Sequence, residues 1–350
     1  MHEVNMHGWL DGEALAEVTG VVVPAYFSAR TDDETVTQLL HMTLADLPRV
    51  VTPNAVVLVT DGDDRTARLA EALLPRLAQG MRLLRLPENQ GKLGAMRAGT
   101  RALLDAHSQV RYLAYLDGDG DHMAAVVPRL VRTAAHVAQA RGVADVLVIG
   151  SRASRTRPMG WLRGELEELL DQVTVDALTY TLARQERVLD VSCLLPGRVC
   201  DISSGFKVYS RSLATSVVAA EPQFTGTLSR SDYDHYGPET MCVVEAALMG
   251  ATLIEAQRPT WDGQPTTAFG EFRVVALYGE LLAWVWQRLD ISVENAAAMF
   301  DNRAPARELR TTGDGTQALG QVRQYALERL QAWRKDAADA PKSLSLPPFF

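Results

Sequence analysis

Short apolar runs separated by longer segments of helical spacing are the feature that most constrains this fold. Residues 20–25 (GVVVPA), 55–60 (AVVLVT) and 145–150 (DVLVIG) are typical of strands buried on both faces of a sheet. Residues 81–86 and 112–116 complete five predicted strands. The helices predicted between them span residues 35–47, 66–79, 94–107 and 123–140. Strands that alternate with helices of about 10–15 residues indicate βαβ units and a mostly parallel sheet.

Beyond residue 152 the alternation is lost, and the pattern predicts a more helical second half. The predicted elements are helices at residues 161–186, 239–249, 273–289 and 316–335, and strands at residues 201–209 and 251–256. The apolar helix near residue 280 is shorter than the roughly 20 residues that a membrane span needs. We expect a packed amphipathic helix there, with a shallow membrane contact through Trp284 and Trp286 as the alternative.

The composition is that of an ordinary globular protein. Of 350 residues, 47% are hydrophobic and 22% are charged, which excludes a disordered or disulfide-scaffold chain. A net charge of −8 makes nucleic acid and anionic membranes poor partners. Three cysteines without a CxxC spacing favour a reducing compartment and no zinc site, and the first 18 residues lack the features of a signal peptide. We expect a cytoplasmic protein with no integral membrane segment.

Three aspartates, Asp117, Asp119 and Asp121, alternate with glycines directly after the fourth predicted strand. Ligands of open α/β sheets bind outside the carboxyl ends of the strands. Carboxylates are costly to bury without a counter-charge, and hard divalent cations prefer oxygen ligands of this kind. An EF-hand is excluded because His122 and Pro128 stand where that loop needs glycine and glutamate. The segment predicts a site for a metal ion and a diphosphate, with a solvated acidic turn as the alternative.

Other polar residues follow the predicted strands. Tyr26 and Asp61 could stack on and hydrogen-bond a nucleobase, and Lys92 stands in a glycine-rich loop that precedes a helix, which suits an anion. Each also has a plainer explanation as a turn, a helix cap or a connecting loop. His122 and His235 lie near acidic clusters and are more simply ordinary polar side chains. A serine hydrolase is disfavoured because no GxSxG motif occurs.

Taken in order, these segments resemble glycosyltransferase family 2, the nucleotide-sugar transferases of GT-A fold. The matching segments are VVVPAY (21–26), VVLVTDGDDRT (56–66), NQGKLGAMRAG (89–99), YLDGDGDH (115–122), VIGSR (148–152) and DISSGFKVYSR (201–211). The resemblance covers about residues 20–260 and is nearest in pattern to the dolichol-phosphate mannosyltransferase-like subgroup. It implies an α/β fold of GT-A (Rossmann-like) type, a mostly parallel sheet flanked by helices, here with a C-terminal helical extension.

The resemblance also divides the chain. We expect an N-terminal segment (1–19), a nucleotide-sugar-binding half (20–152), an acceptor-side half (153–272), a C-terminal helical extension (273–340) and a tail (341–350).

Roles for single residues follow from the same resemblance. The donor nucleotide sugar would contact Pro24, Tyr26, Asp61, Lys92, Asp117, Gly118, Asp119 and Arg152. Mg²⁺ or Mn²⁺ would be held by Asp119 and Asp121, with His235 as a further candidate ligand. The acceptor side would include Gly205 and Phe206. Trp261 is added from the residues of its own loop, where it offers a flat apolar face to an acceptor.

The glutamate–aspartate pair that supplies the base in inverting members of the family is not present as such. Glu239, eleven residues before Gly250, is the candidate base. Alternatively it only occupies the first turn of a helix, where a carboxylate is favoured. Asp232 and Asp234 are the other candidates.

These expectations describe a metal-dependent, inverting glycosyltransferase that uses a nucleoside-diphosphate sugar. Between Arg258 and Arg273 the chain has no lysine or arginine but contains Asp262 and Glu271, so a lipid phosphate would find little to pair with. We therefore expect a soluble small-molecule or saccharide acceptor. The alternatives are a polyprenyl-phosphate glycosyltransferase, a sugar-phosphate nucleotidyltransferase and a catalytically silent nucleotide-sugar-binding subunit, and a homo-oligomer is left open.

Overall fold

One seven-stranded sheet organises the part of the chain that the computed structural model describes, residues 11–260 and 274–334. The strands are β1 (Thr19–Ala25), β2 (Val56–Asp61), β3 (Arg82–Leu86), β4 (Tyr112–Tyr115), β5 (Val146–Arg152), β6 (Lys207–Ser210) and β7 (Thr252–Arg258). They lie in the order β3-β2-β1-β4-β6-β5-β7. Every neighbouring pair is parallel except the two that involve β6, so the mostly parallel sheet expected from the sequence is confirmed.

Helices cover the sheet and continue beyond its last strand. They are α1 (Gly12–Val18), α2 (Asp33–Leu44), α3 (Asp64–Leu77), α4 (Gly91–Ala106), α5 (Val127–Arg141), α6 (Thr156–Met159), α7 (Trp161–Arg184), α8 (Arg211–Ala214), α9 (Arg230–Tyr236), α10 (Pro238–Leu248), α11 (Val274–Arg288), α12 (Val293–Arg303) and α13 (Gly313–Arg334). The sequence pattern does not predict α1, α6, α8, α9 or α12. α1 and α9 have seven residues each, too few for a clear apolar period.

The central strands are buried on both faces, as their continuous apolar sequences predict. All six residues of β2 and all seven of β5 are buried. α4 packs closely on β1 and β2 because Gly99 has no side chain: a Cβ there would lie 2.6 Å from Val22 Cγ1 and 2.7 Å from Val59 Cγ2. This close packing places the N-terminus of α4 at the carboxyl edge of the sheet, beside the loops that follow β2 and β4.

The segment before β6 differs from its prediction. A strand is expected over residues 201–209, but the strand begins only at Lys207, and residues 201–206 form turns. The polar side chains of this segment bind elsewhere: Asp201 pairs with Arg152, and Ser204 Oγ donates to the Gly150 carbonyl at 2.7 Å. These side-chain hydrogen bonds compete with the backbone pairing of a regular strand. A prediction from the apolar period alone does not include such bonds.

The C-terminal helices form the expected helical extension. α11 packs against α7 and α13, and its Trp284 and Trp286 are 1% and 0% exposed. A membrane contact through these two tryptophans is therefore wrong, because packing against the neighbouring helices buries both rings. Across residues 11–260 and 274–334, no helix combines the length and the hydropathy needed to cross a membrane.

Candidate active site

The aspartate loop after β4 folds back on itself at the carboxyl edge of the sheet. The backbone N–H of Asp117 donates to His122 Nδ1 at 2.8 Å, and the N–H of Gly120 donates to Thr43 Oγ1 at 3.0 Å. Gly120 has a φ of +82°, a backbone conformation that side chains disfavour. The glycine between two aspartates therefore makes the turn that brings their carboxylates to one end of the sheet.

Lys92 lies between two carboxylates that are far apart in the sequence. Its Nζ is 2.6 Å from Asp117 Oδ1 and 2.5 Å from Glu239 Oε1. Lys92 is the second residue of α4, Asp117 follows β4, and Glu239 stands in the first turn of α10. Three elements therefore build this cluster. The three side chains are 30%, 28% and 21% exposed, so the cluster faces an opening through which a ligand can reach it.

The ion pairs set the protonation of the two carboxylates. Burial raises the pKa of Asp117, but the charge and hydrogen bond of Lys92, together with His122 and Arg258, outweigh burial and hold this pKa well below its usual range. For Glu239, burial also raises the pKa, and Lys92 and Lys207 together bring it below the ordinary value. Both groups are therefore anionic at neutral pH, and Lys92 is held protonated between them.

Gly205 and Phe206, predicted for the acceptor side, lie in the turn just before β6, beside this cluster. A Cβ at Gly205 would lie 2.6 Å from Asp117 Oδ2, so the absence of a side chain makes room for the carboxylate. Phe206 is buried and stacks on His122 with ring centroids 4.8 Å apart. Burial lowers the pKa of His122 to about 4, so the ring is neutral and supports the aspartate loop by packing and by its bond to Asp117.

Asp119 and Asp121 offer oxygen atoms that suit a divalent cation. No donor within the described ranges reaches Asp121 Oδ1, although this atom is buried. Asp121 Oδ2 lies 3.2 Å from Arg258 Nη2 and 3.6 Å from His122 Nε2. Burial, together with the charges of Asp117 and Asp121, raises the pKa of Asp119 to about 7. An unpartnered buried oxygen beside crowded carboxylates is the donor set that Mg²⁺ or Mn²⁺ takes, so the residues fit such an ion.

His235, the third candidate ligand, has other partners in the structure. Its Nε2 lies 2.9 Å from Asn89 Oδ1, and its Nδ1 lies 2.6 Å from the Ser231 carbonyl oxygen. Within residues 11–260 and 274–334, no three His, Cys, Asp or Glu side chains stand together as a ready metal site. Asp119 and Asp121 are thus the carboxylates on which the predicted cation site depends.

The expected nucleobase side lies at the ends of β1 and β2. Asp61 is buried and accepts a hydrogen bond from the Gln90 N–H at 2.7 Å, and burial raises its pKa. Tyr26 is 57% exposed, which leaves its ring free to stack. Pro24 lies beside Gly118, where a Cβ would meet the Pro24 carbonyl oxygen at 3.2 Å. The structure brings these predicted donor residues to one edge of the sheet.

Arg152 is at the same edge but is enclosed in a buried ion-pair network. Its guanidinium donates to Asp201 Oδ1 at 2.6 Å and Oδ2 at 3.0 Å, and lies 2.8 Å from Glu167 Oε2. Arg155 continues the network to Asp171 and Asp201. With these partners, Arg152 holds the end of β5 to the segment before β6, and its predicted contact with the donor stays a prediction.

The two alternative bases are less suited to proton transfer than Glu239. Asp234 is buried and pairs with both Arg97, at 2.9 Å, and Arg230, at 2.6 Å. Asp232 accepts from the Ser229 hydroxyl at 2.8 Å in the cap of α9. Neither contacts the Lys92 cluster in the hydrogen bonds and ion pairs of the described residues.

Two cationic residues of the site do not emerge from the sequence. Lys207 is buried, its charge lowers the pKa of Glu239, and its Nζ donates to the Ile202 carbonyl, at 2.9 Å, and to the Ser204 carbonyl. Arg258 reaches from the end of β7 to Asp121. The sequence does contain one signal for Lys207: it stands within the apolar run GFKVY, and a lysine is rarely buried unless it is paired.

Trp261, predicted for the acceptor side, lies outside the described residues. A cavity of about 640 Å³ lies between α7, residues 191–200 and Arg303, but none of the predicted site residues lines it. We therefore place the candidate site at the carboxylates and not at this cavity.

Comparisons with known proteins find a matching family model and a similar curated protein. The family model described as Glycosyl transferase family 2 matches residues 20–187, just under half of the chain. An uncharacterized protein of Methanocaldococcus jannaschii is 31% identical over 77 residues, which cover 22% of this chain and 33% of that protein. The chain thus spans about a third of the length of this curated relative.

Solved structures are similar at low identity. The S. aureus TarS structure, residues 1–349, has a TM-score of 0.41 at 12% identity, covering 91% of this chain and 90% of that one. Its complex with UDP has a TM-score of 0.40 at 13% identity, covering 92% and 94%. A cytidylyltransferase from Leptospira borgpetersenii has a TM-score of 0.35 at 9% identity, covering 81% and 96%. The segment that matches the Glycosyl transferase family 2 model, residues 20–187, contains β1 to β5 and the aspartate loop.

Proposed function

We propose that this chain is a glycosyltransferase that moves a sugar from a nucleoside-diphosphate sugar to a hydroxyl group of a soluble small molecule or saccharide. The reaction would invert the anomeric carbon and depend on Mg²⁺ or Mn²⁺, with Asp117 and Asp119 as the DxD pair. Within family 2, the motif pattern is nearest to the dolichol-phosphate mannosyltransferase-like subgroup, although we propose a different acceptor.

The observation that carries this proposal is the convergence of Lys92, Asp117 and Glu239 at one opening. Lys92 and Asp117 lie within the segment that matches the family, and Glu239 comes from α10, beyond it. A glycosyl transfer needs a cationic group for the leaving diphosphate and a carboxylate for the acceptor proton. The cluster offers both within 3 Å of each other, at the sheet edge where open α/β folds bind ligands.

Each residue of the site then has a role. Asp61 and Tyr26 receive the nucleobase, and Lys92, near the N-terminus of α4, faces the diphosphate. Asp119 and Asp121 would hold the cation, which when bound offsets charge on the leaving diphosphate. Glu239 accepts the proton of the acceptor hydroxyl while that oxygen bonds to the anomeric carbon and the bond to the diphosphate breaks.

The proposed acceptor is a neutral or cationic hydroxyl compound. Arg258, the last basic residue before Arg273 in the sequence, donates to Asp121 Oδ2 at 3.2 Å and to the Gly150 carbonyl at 3.2 Å. Its guanidinium is therefore engaged within the protein. The sequence after it offers hydrogen-bonding and aromatic residues in place of basic ones, which supports a polyhydroxylated acceptor over a lipid phosphate.

The test is release of nucleoside diphosphate from UDP- and GDP-sugars with Mg²⁺ or Mn²⁺, in the presence of soluble polyols and saccharides or of polyprenyl phosphate. Glu239→Gln should lower the rate of release by roughly 10²–10⁴-fold. Glu221→Gln, which changes an exposed glutamate paired with Arg101, should leave the rate unchanged. Transfer to polyprenyl phosphate alone would contradict the proposed acceptor. Binding of donors without any transfer would favour a silent binding subunit.

A further inference from the structure

The ligand-free site contains a conflict between its geometry and the proposed role of Glu239. A carboxylate that serves as a base must have an oxygen open to the acceptor hydroxyl. Glu239 Oε1 instead accepts a hydrogen bond from Lys92 Nζ at 2.5 Å. An ammonium in contact also lowers the proton affinity of a carboxylate, which opposes its use as a base.

From this geometry we propose that Lys92 is a positioning residue that blocks Glu239 until the donor binds, and then moves to the donor diphosphate. The inference rests on the proposed function and adds an order to it: the nucleotide sugar binds first and makes the base available for the acceptor.

The side chain of Lys92 is flexible and exposed enough to make such a move. Its side chain is a flexible four-carbon stem with a rotatable point charge, and it leaves a helix N-terminus, where phosphate groups bind. It is 30% exposed at the opening of the site, so it can turn toward a ligand without disturbing the core. A diphosphate brings more negative charge than one carboxylate, so it competes with Glu239 for the ammonium.

The surroundings of Glu239 indicate that Lys92 is the adjustable partner. The groups that face Glu239 are Lys92 on α4, Asp117 after β4, Lys207 and Tyr209 on β6, and Cys242 on α10. Lys207 is 3% exposed and bonds to two backbone carbonyls, so it stays in place. Only Lys92 among the cations in this set combines direct contact with Glu239 and access to the opening.

The groups already named account for the proton, the new bond and the leaving group of the transfer. Lys92 moves from Glu239 to the diphosphate and neutralises part of its charge. The acceptor oxygen bonds to the anomeric carbon, its proton passes to Glu239, and the carbon–oxygen bond to the diphosphate breaks. When the nucleoside diphosphate leaves, Lys92 returns to Glu239 and the proton is released to solvent.

The test follows the protonation of Glu239 by NMR of ¹³C-labelled glutamate carboxyls in the full chain, with Glu239→Gln to assign the signal. UDP and GDP with Mg²⁺ serve as probes. In the wild type, a bound nucleotide should raise the pKa of Glu239 by about 1 unit or more, since an opposite charge in contact moves it by about 1–3 units. In Lys92→Met the pKa should be high from the start and insensitive to nucleotide, and Lys92→Arg should restore part of the response.

Arg101→Met is the matched control, because Arg101 lies on the same helix but pairs with Glu221 at the surface. It should retain the wild-type response. Nucleotide binding, measured by calorimetry, that leaves the pKa of Glu239 unchanged in the wild type would overturn this inference and leave the proposed function standing. If neither nucleotide binds, the proposed function itself fails and this inference with it. Should Lys92→Met not fold, the wild-type titration decides alone.

Discussion

One added methyl group at position 205 should disable the site while leaving the fold in place. A Cβ at Gly205 would lie 2.6 Å from Asp117 Oδ2 and 3.2 Å from Lys92 Nζ. Real Cβ atoms essentially never come within 3.0 Å of such an atom, so the gap between 3.0 and 2.6 Å requires a shift of at least 0.4 Å. In Gly205→Ala the Asp117 carboxylate must therefore retreat and change its contact with Lys92.

The expected loss is larger for activity than for stability. A displacement of about 1 Å at reacting groups can cost on the order of 10²-fold, so a shift of a few tenths of an ångström should lower kcat/KM roughly tenfold or more. Overpacking typically costs about 1–3 kcal/mol. The low end applies here because the atoms that must move are the ends of partly exposed side chains.

Activity and stability are measured together, by nucleoside diphosphate release and by urea unfolding. Gly320→Ala in α13 is the control, because no atom lies within 4 Å of its added Cβ. It should leave kcat/KM unchanged and stabilise the helix by about 0.5–1 kcal/mol. Wild-type kcat/KM in Gly205→Ala would refute the reasoning, since the contact between Asp117 and Lys92 would then be irrelevant to turnover.

The remaining predictions concern three carboxylates. Asp119→Ala should lower turnover by about 10²-fold or more at saturating Mg²⁺ or Mn²⁺ with an unchanged circular dichroism spectrum, because a cation at a leaving group supplies several kcal/mol; near-wild-type turnover would contradict it. Glu239→Gln should lower kcat by roughly 10²–10⁴-fold with donor affinity retained, as steady-state kinetics and calorimetry can check, whereas a collapse of donor affinity would make Glu239 a donor-binding residue. Asp201→Asn should destabilise the fold by about 3–5 kcal/mol in urea unfolding, because it leaves buried Arg152 short of a partner. Burial raises the pKa of Asp201, but pairing with Arg152 and Arg155 outweighs burial and holds this pKa below its usual range. The stabilisation by the Asp201 carboxylate is therefore complete above the unfolded pKa of about 3.9 and is lost as the pH falls below that value. The difference in unfolding free energy between Asp201→Asn and the wild type should accordingly shrink in acid.

The sequence predicts the sheet well because burial on both faces leaves a strong local signal. The apolar runs at residues 20–25, 55–60 and 145–150 correspond to β1, β2 and β5 within one or two residues. Shorter elements depend on contacts that the local pattern does not contain. β6 begins later than expected because Asp201 and Ser204 bind groups that are 49 and 54 residues away in the chain.

The residues of the candidate site also include some with a local sequence signal and some that depend on long-range contacts. The sequence by itself determined that carboxylates and a glycine-rich loop follow buried strands, since both features are local. Only the tertiary structure decided that Lys92 bridges Asp117 and Glu239, because Glu239 comes from 147 residues further along the chain. It also decided that Arg152 pairs with Asp201 and Glu167. Ion pairs form between charges that folding brings together, and their partners are fixed by the packing of whole elements, which residue spacing does not encode.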